Sequence, residues 1–316
     1  MSLICPICKT NAEEIVKDSR SNSKVLLGNC RNCDFLFADI DNINSLKNNQ
    51  LDETRLKKAG LKIPSIEKDF KNGSLQAKRY FNEYLNSYDF PLNILEIGCS
   101  WGYFLNILKN KNHNVIGIEI SKERRNYVEK NLQIKCLQDI NMLKNSSLRF
   151  DKIFLFYVIE YINDPKNYIE DLIKFLKKDG EIIIITPNKN DVLLNIWSNK
   201  SYEKFIIDEH VINYFSVKSL EKLSKLIDRS IFKIYNQQGY SLYNHLKWYF
   251  TNKPSTTGIV GGDIFTEDIK NQITNNKDIK LSNKIKTLIT NTNKEYQKII
   301  EENNMGNSII VRIKRI

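Results

Sequence analysis

The stretch Leu92–Leu105, LNILEIGCSWGYFL, sets the strongest limit on the fold of this chain. An apolar run through Ile94 and Leu95 ends in Glu96, Gly98 and Gly102 follow, and Phe104, Leu105 and Leu108 then take up helical spacing. That order describes a buried strand, a glycine turn and a helix start, an arrangement in which backbone amides approach a ligand closely. The pattern is E-x-G-x-x-x-G with an acid at the strand end. It differs from the G-x-G-x-x-G of a dinucleotide-binding turn, which uses the same tight-turn glycines.

Further strands follow at regular intervals. His113–Ser121, HNVIGIEIS, reads as a second buried strand ending at Glu119. A carboxylate about twenty residues beyond the turn can accept both hydroxyls of a ribose; a solvated strand-end acid is the alternative. A short strand at Ile134–Leu137 leads to Gln138-Asp139-Ile140, and Asp151–Phe156 to Tyr157-Val158-Ile159-Glu160-Tyr161. Asp164-Pro165 starts a helix, a capping acid with proline at the first helical position. Its apolar face is Ile169, Leu172, Ile173 and Leu176, and Gly180 is expected to close it. Ile182–Ile185, Ser230–Asn236 and Asn307–Lys314 complete the set. The alternation predicts an α/β, Rossmann-like, doubly wound sheet of seven strands with its ligand at their carboxyl ends.

Residues 75–240 resemble the class I methyltransferases that depend on S-adenosylmethionine (SAM), on the glycine turn, Glu119 and the Asp139-Ile140 pair. The resemblance implies SAM as cofactor, held by Glu96, Gly98, Cys99, Ser100 and Gly102 at the turn. Glu119 and Ile120 would then serve the ribose edge, Asp139 and Ile140 the adenine, and Phe156 and Tyr157 the end of the fourth strand. Related enzymes usually carry Glu-His where Glu160-Tyr161 stands, which argues against a catalytic imidazole there. Ala77, Tyr80, Phe81, Tyr84 and Tyr88 lie at helical spacing, and in related enzymes such a helix crosses the SAM pocket. For each aromatic taken singly, a place in the core is the simpler reading.

A second signal lies at the amino terminus. Cys5-Pro6-Ile7-Cys8 and Cys30-Arg31-Asn32-Cys33 are two C-x-x-C pairs with residues 9–29 between them. Such spacing lets both thiolates of each pair reach one metal, and two pairs complete a tetrahedral site with no open position, which makes a bound Zn2+ structural. Redox disulfides and an iron–sulfur centre are the alternatives. Cys99 and Cys136 read as small buried hydrophobes. The chain thus divides into a zinc ribbon over 1–40, a lysine- and asparagine-rich linker over 41–73 and a SAM-binding core over 74–239. A helical insertion over 240–306 and a final core strand over 307–316 complete it. The linker holds Gly60, Pro64 and a short helix near Thr54–Ala59, and Gly258–Gly262 reads as a connector in the insertion.

The acceptor side is expected after the fifth strand. Ile207-Asp208-Glu209-His210-Val211-Ile212-Asn213-Tyr214-Phe215 precedes Ser216, which can cap a helix with Leu220, Leu223 and Leu226 on one face. The Glu-His pair is similar to that of nucleotide-sugar C-methyltransferases, which also begin with a four-cysteine module. The resemblance implies proton handling by Glu209 and His210; a structural histidine that anchors the loop is the alternative for His210. It points to a nucleotide-linked or polymer-linked sugar as acceptor. The C-methyltransferases are longer, with a second α/β domain and a tyrosine- and serine-rich element absent here, which puts O-methylation at least level. His245 and Trp248 in the insertion either contact a sugar or belong to the core, and the insertion itself reads as a lid or a homodimer contact.

The formal charge is +11, and four bound thiolates with a divalent ion would lower it to about +9. The lysines are scattered among asparagines and isoleucines, with no arginine-rich stripe and no aromatic–basic ribonucleoprotein motif. Nucleic acid is therefore disfavoured as partner, and an rRNA or tRNA methyltransferase with a zinc-ribbon reader stands as the alternative. Neither a signal peptide nor an 18-residue apolar span is evident, so a cytoplasmic protein without membrane insertion is expected.

Overall fold

The computed structural model describes residues 3–39, 65–253 and 279–316. The sequence-predicted helix at Thr54–Ala59 and the Gly258–Gly262 connector lie outside them. Strands β1 (Leu3–Ile4), β2 (Asn11–Asp18), β3 (Lys24–Cys30) and β4 (Phe35–Ala38) form an antiparallel ribbon. Helix α1 (Ile66–Tyr84) begins well before residue 74, so 66–73 are helix rather than linker. Inside this helix, the missing Cβ of Gly73 admits the Tyr103 ring, which would lie 2.6 Å from a side chain.

The core then alternates β5 (Asn93–Ile97), α2 (Tyr103–Asn110), β6 (Asn114–Ile118), α3 (Lys122–Asn131), β7 (Cys136–Leu137), β8 (Phe150–Phe156), α4 (Pro165–Lys174) and β9 (Leu176–Pro187). Two short helices, α5 (Val192–Asn195) and α6 (Lys200–Ile206), precede β10 (Asn213–Tyr214) and α7 (Val217–Ser224). The chain closes with β11 (Ser230–Gln237), α8 (Leu242–Thr251), α9 (Ile279–Glu302) and β12 (Ser308–Arg315). The seven-stranded sheet runs β11-β12-β9-β8-β5-β6-β7, parallel except for β12, which pairs antiparallel with both β9 and β11. This is the doubly wound sheet that the alternation predicts.

The Ile182–Ile185 run shows why the sheet needs helices on both faces. Ile182 and Ile184 pack into one core cluster and Ile183 and Ile185 into the other, so successive side chains of one strand are buried on opposite faces. Gly180 does not end a helix. Phe175 caps α4, Leu176 already pairs with Phe150, and residues 177–180 bulge before Glu181 pairs with Lys152. A Cβ on Gly180 would stand 2.8 Å from the Phe150 carbonyl, so the glycine serves close strand approach. Glu181, buried, binds Lys152 at 2.8 Å and Arg312 at 2.7 and 2.8 Å, which pins β8, β9 and β12.

One feature lies beyond local pattern. β10 pairs with β4, Asn213 against Phe37 and Tyr214 against Leu36, so the core lends a strand to the ribbon sheet. Among the described residues, no helix is long and apolar enough to cross a membrane.

Candidate active site and cysteine cluster

The turn after β5 is left-handed at three places, with φ of 72° at Gly98, 52° at Ser100 and 80° at Gly102. A Cβ at Gly98 would lie 2.5 Å from Val158 Cγ2, so glycine is required there by conformation and by space. The Gly98 and Cys99 amides donate to the Ile118 carbonyl at 2.7 and 3.1 Å. The Ser100 amide donates to Glu119 Oε2 at 2.9 Å, and the Ser121 amide to Oε1 at 2.8 Å. Two backbone donors thus fix the buried acid at the end of β6, and each of its oxygens keeps a second lone pair for a hydroxyl.

Glu96 lies buried on β5 below this turn. Its Oε2 has no hydrogen-bond partner among the described residues, and burial pushes its carboxyl well above the usual carboxylate range. A buried acceptor left unmet is costly, and a cationic donor placed against it would restore the charged form. Ile120 is 64% exposed and Met142 61% exposed, on the segments that leave β6 and β7. Asp139 caps the short turn Ile140–Leu143, accepting from the Asn141 amide at 2.6 Å. Across the sheet edge, Phe156 stacks on Tyr80 of α1 with centroids 4.1 Å apart, and the Tyr157 hydroxyl meets Ser308 Oγ at 3.1 Å.

The segment before β10 rests on the turn that follows β8. The Ile212 amide donates to the Glu160 carbonyl at 2.9 Å, and Asn213 Nδ2 donates to the Ile159 and Ile162 carbonyls at 3.2 and 2.7 Å. His210 Nδ1 lies 3.0 Å from Asp208 Oδ1, which also accepts the His210 amide at 3.0 Å. In the neutral tautomer that donates Nδ1–H to the carboxylate, the lone pair falls on Nε2. Arg20, Ser21, Asp208, Glu209 and His210 line a small pocket at the seam between ribbon and core.

The four amino-terminal cysteines converge. Their Sγ atoms all lie within 4.8 Å of one another, with Cys5–Cys33 at 3.5 Å, Cys8–Cys30 at 3.4 Å and Cys30–Cys33 at 3.6 Å. None forms a disulfide. A tetrahedron of thiolates about 2.3 Å from a metal has edges of about 3.8 Å, close to these separations. Each pair is followed by a left-handed residue, Lys9 with φ 60° and Asp34 with φ 58°, which turns the chain back around the sulfurs. The residues therefore fit a tetrathiolate zinc.

A family model described as a methyltransferase domain matches residues 53–228. The chain belongs to this methyltransferase family. A ubiquinone biosynthesis O-methyltransferase of Pelagibacter ubique is 26% identical over 206 residues, which is 61% of this chain and 73% of that protein. One from Coxiella burnetii is 28% identical over 105 residues, 31% of this chain, and the match spans only 44% of the relative's length. In three dimensions, the plantazolicin methyltransferase BamL, in complex with a triazolic desmethylPZN analog and SAH, has a TM-score of 0.50 at 13% identity. The match covers 87% of this chain and 96% of that one, and at such identity it speaks for the fold alone.

For a methyltransferase domain, several expected residues sit differently from the sequence reading. Cys99 turns its sulfur into the core, 3.6 Å from Cys136, so only its backbone borders the turn. Ile140 is buried in the core, and Met142 is the exposed apolar side chain on that turn. Glu209 is not paired with His210: its Oε2 accepts the Ser21 and Ser23 hydroxyls, each at 2.5 Å. Asp208 is the partner of the imidazole, which the Asp-x-His spacing could have suggested through its tendency to form an Asx turn. His245 is fully buried, with Nδ1 2.6 Å from the Tyr296 hydroxyl, and Trp248 packs on Tyr202, so both are core. Asp191 escaped the sequence reading; burial raises its carboxyl to about 6, and it accepts the Tyr202 hydroxyl at 2.8 Å.

Proposed function

We propose that this protein transfers a methyl group from SAM to a hydroxyl of a small-molecule acceptor, a carbohydrate in the first instance, with His210 as general base. SAM supplies an electrophilic methyl on its sulfonium. The chain's own part is to bind, to orient and to take a proton. Glu119, fixed by the Ser100 and Ser121 amides, would accept the ribose hydroxyls. Glu96 Oε2 offers a buried acceptor for the amino group. Ile120 and Met142 offer apolar contact to the adenine, and Asp139 an acceptor for its amine. Gly98, Ser100 and Gly102 let the turn pass close to the ligand. Cys5, Cys8, Cys30 and Cys33 would hold a structural zinc, which takes no part in the chemistry.

The observation that carries the acceptor half is the 3.0 Å contact between Asp208 Oδ1 and His210 Nδ1. A carboxylate on Nδ1 fixes the tautomer and stabilises the imidazolium that forms when Nε2 takes the hydroxyl proton, the logic of a hydrolase triad. Relatives named O-methyltransferases favour oxygen over carbon as the methylated atom. The test is release of S-adenosylhomocysteine with nucleotide sugars, hydroxylated quinone precursors and total RNA side by side. Turnover on a sugar, abolished in His210→Ala with SAM affinity unchanged, is expected. Turnover on RNA alone, or normal turnover by His210→Ala, would overturn the reading.

A further inference from the structure

The segment that carries His210 is held from both sides by the ribbon. Ahead of His210, the Arg20 amide donates to the Ile207 carbonyl at 2.9 Å and Arg20 Nε to the Phe205 carbonyl at 2.6 Å, with the guanidinium 4.0 Å from the Phe205 ring centroid. Next to His210, Ser21 Oγ and Ser23 Oγ both donate to Glu209 Oε2 at 2.5 Å. Beyond it, the Ala38 amide donates to the Ile212 carbonyl at 2.8 Å, and Asn213 and Tyr214 pair with β4. Arg20, Ser21 and Ser23 belong to the turn between β2 and β3, and β3 ends at Cys30 in the cysteine cluster.

The turn is itself ordered around hydroxyls. Ser19, fully buried, places its Oγ 2.9 Å from Ser21 Oγ and 2.8 Å from Ser23 Oγ, and its amide donates to the Ser23 carbonyl at 2.8 Å. Three serines at alternate positions thus converge, and two of them meet one carboxylate oxygen, a charge-assisted arrangement that sets where Glu209 lies. Glu209 and His210 are consecutive, so a shift of the carboxylate is passed to the imidazole through one peptide unit.

We propose that the β2–β3 turn of the ribbon positions the His210 base, with Ser21 and Ser23 acting on it through Glu209. Glu209 is then a positioning residue whose carboxylate anchors the loop, and the pair differs from the shared proton handling that the sequence resemblance implies. The ribbon's place in this enzyme is to hold the proton acceptor in register with the carboxyl edge of the sheet. The proposal rests on the reading of His210 as base.

The experiment compares Ser21→Ala/Ser23→Ala with Ser21→Thr/Ser23→Thr in the full-length, zinc-loaded protein. The alanine pair should lower kcat by about 10- to 100-fold, the loss expected when a catalytic group is misplaced by about 1 Å. Zinc content and SAM affinity should stay within about twofold, and hydrogen exchange over residues 205–214 should rise. The threonine pair keeps both hydroxyls and should restore kcat and protection together. An alanine pair with wild-type kcat overturns the proposal, as does a threonine pair as slow as the alanine pair. His210→Ala in parallel separates the two ideas: normal turnover there sinks the base assignment, whereas an inactive His210→Ala beside a wild-type alanine pair sinks only the positioning role.

Discussion

Gly98→Ala tests whether the glycine turn is dictated by the backbone and by Val158, as the structure has it. The residue sits at φ 72°, where an L side chain costs about 1–2 kcal/mol. The new Cβ would also stand 2.5 Å from Val158 Cγ2. Ordinary carbon contacts lie near 3.5–4.0 Å, so one side must retreat by about 1 Å, an overpacking that typically costs about 1–3 kcal/mol. The two effects together come to about 2–5 kcal/mol, a large share of the 5–15 kcal/mol of a whole domain. Val158 follows Tyr157 at the end of β8, so the same displacement disturbs the edge where SAM would bind, and affinity should fall by about tenfold or more. Urea unfolding and calorimetric SAM titration would be run on wild type, Gly98→Ala, Val158→Ala and the double variant. The double variant removes the clash and leaves the backbone cost, so the cycle should show about 1–3 kcal/mol of favourable coupling. Additivity within about 0.5 kcal/mol would refute the steric argument.

Metal analysis of the purified protein should find one zinc per chain. Stripping it with a mercurial should raise hydrogen exchange in both β3 and the 205–214 segment; exchange unchanged in the second would mean that ribbon and loop are not coupled. Burial pulls the His245 imidazole down to about 4 from 6.5. A base whose folded pKa is depressed contributes stability above pH 6.5 that is lost as pH falls toward 4, about 3 kcal/mol by linkage. The Asp191 carboxyl, raised to about 6, runs in the opposite sense over an overlapping window, its stability falling as pH rises from about 4 to 6. The difference in urea midpoints between wild type and His245→Gln, followed from pH 7.5 to 4.5, therefore isolates the imidazole. A difference that does not change with pH would show that His245 is not buried neutral.

Much of the geometry around the proposed SAM site was legible because it is written in consecutive residues. The left-handed turn at Gly98 and Gly102, the capping of α4 by Asp164 and the strand-end Glu119 each depend on local conformation and on spacing along one strand or turn. The two C-x-x-C pairs announced their convergence for the same reason, since two intervening residues place both sulfurs of a pair on one side of a tight turn. Gly180 was misread because a glycine that serves a close approach looks, in a linear sequence, like one that ends an element.

The surroundings of His210 were decided by packing between distant parts. Glu209 meets Ser21 and Ser23 across 188 and 186 positions, and β10 joins the ribbon rather than the core sheet. By itself the sequence determined the α/β alternation, the glycine turn and the two C-x-x-C pairs, because propensity, periodicity and short spacing act between near neighbours. Only the tertiary structure decided which partner each polar side chain found. Asp208 rather than Glu209 holds His210, and ribbon and core together clamp the loop, because burial leaves each polar group only the donors that the fold brings within reach.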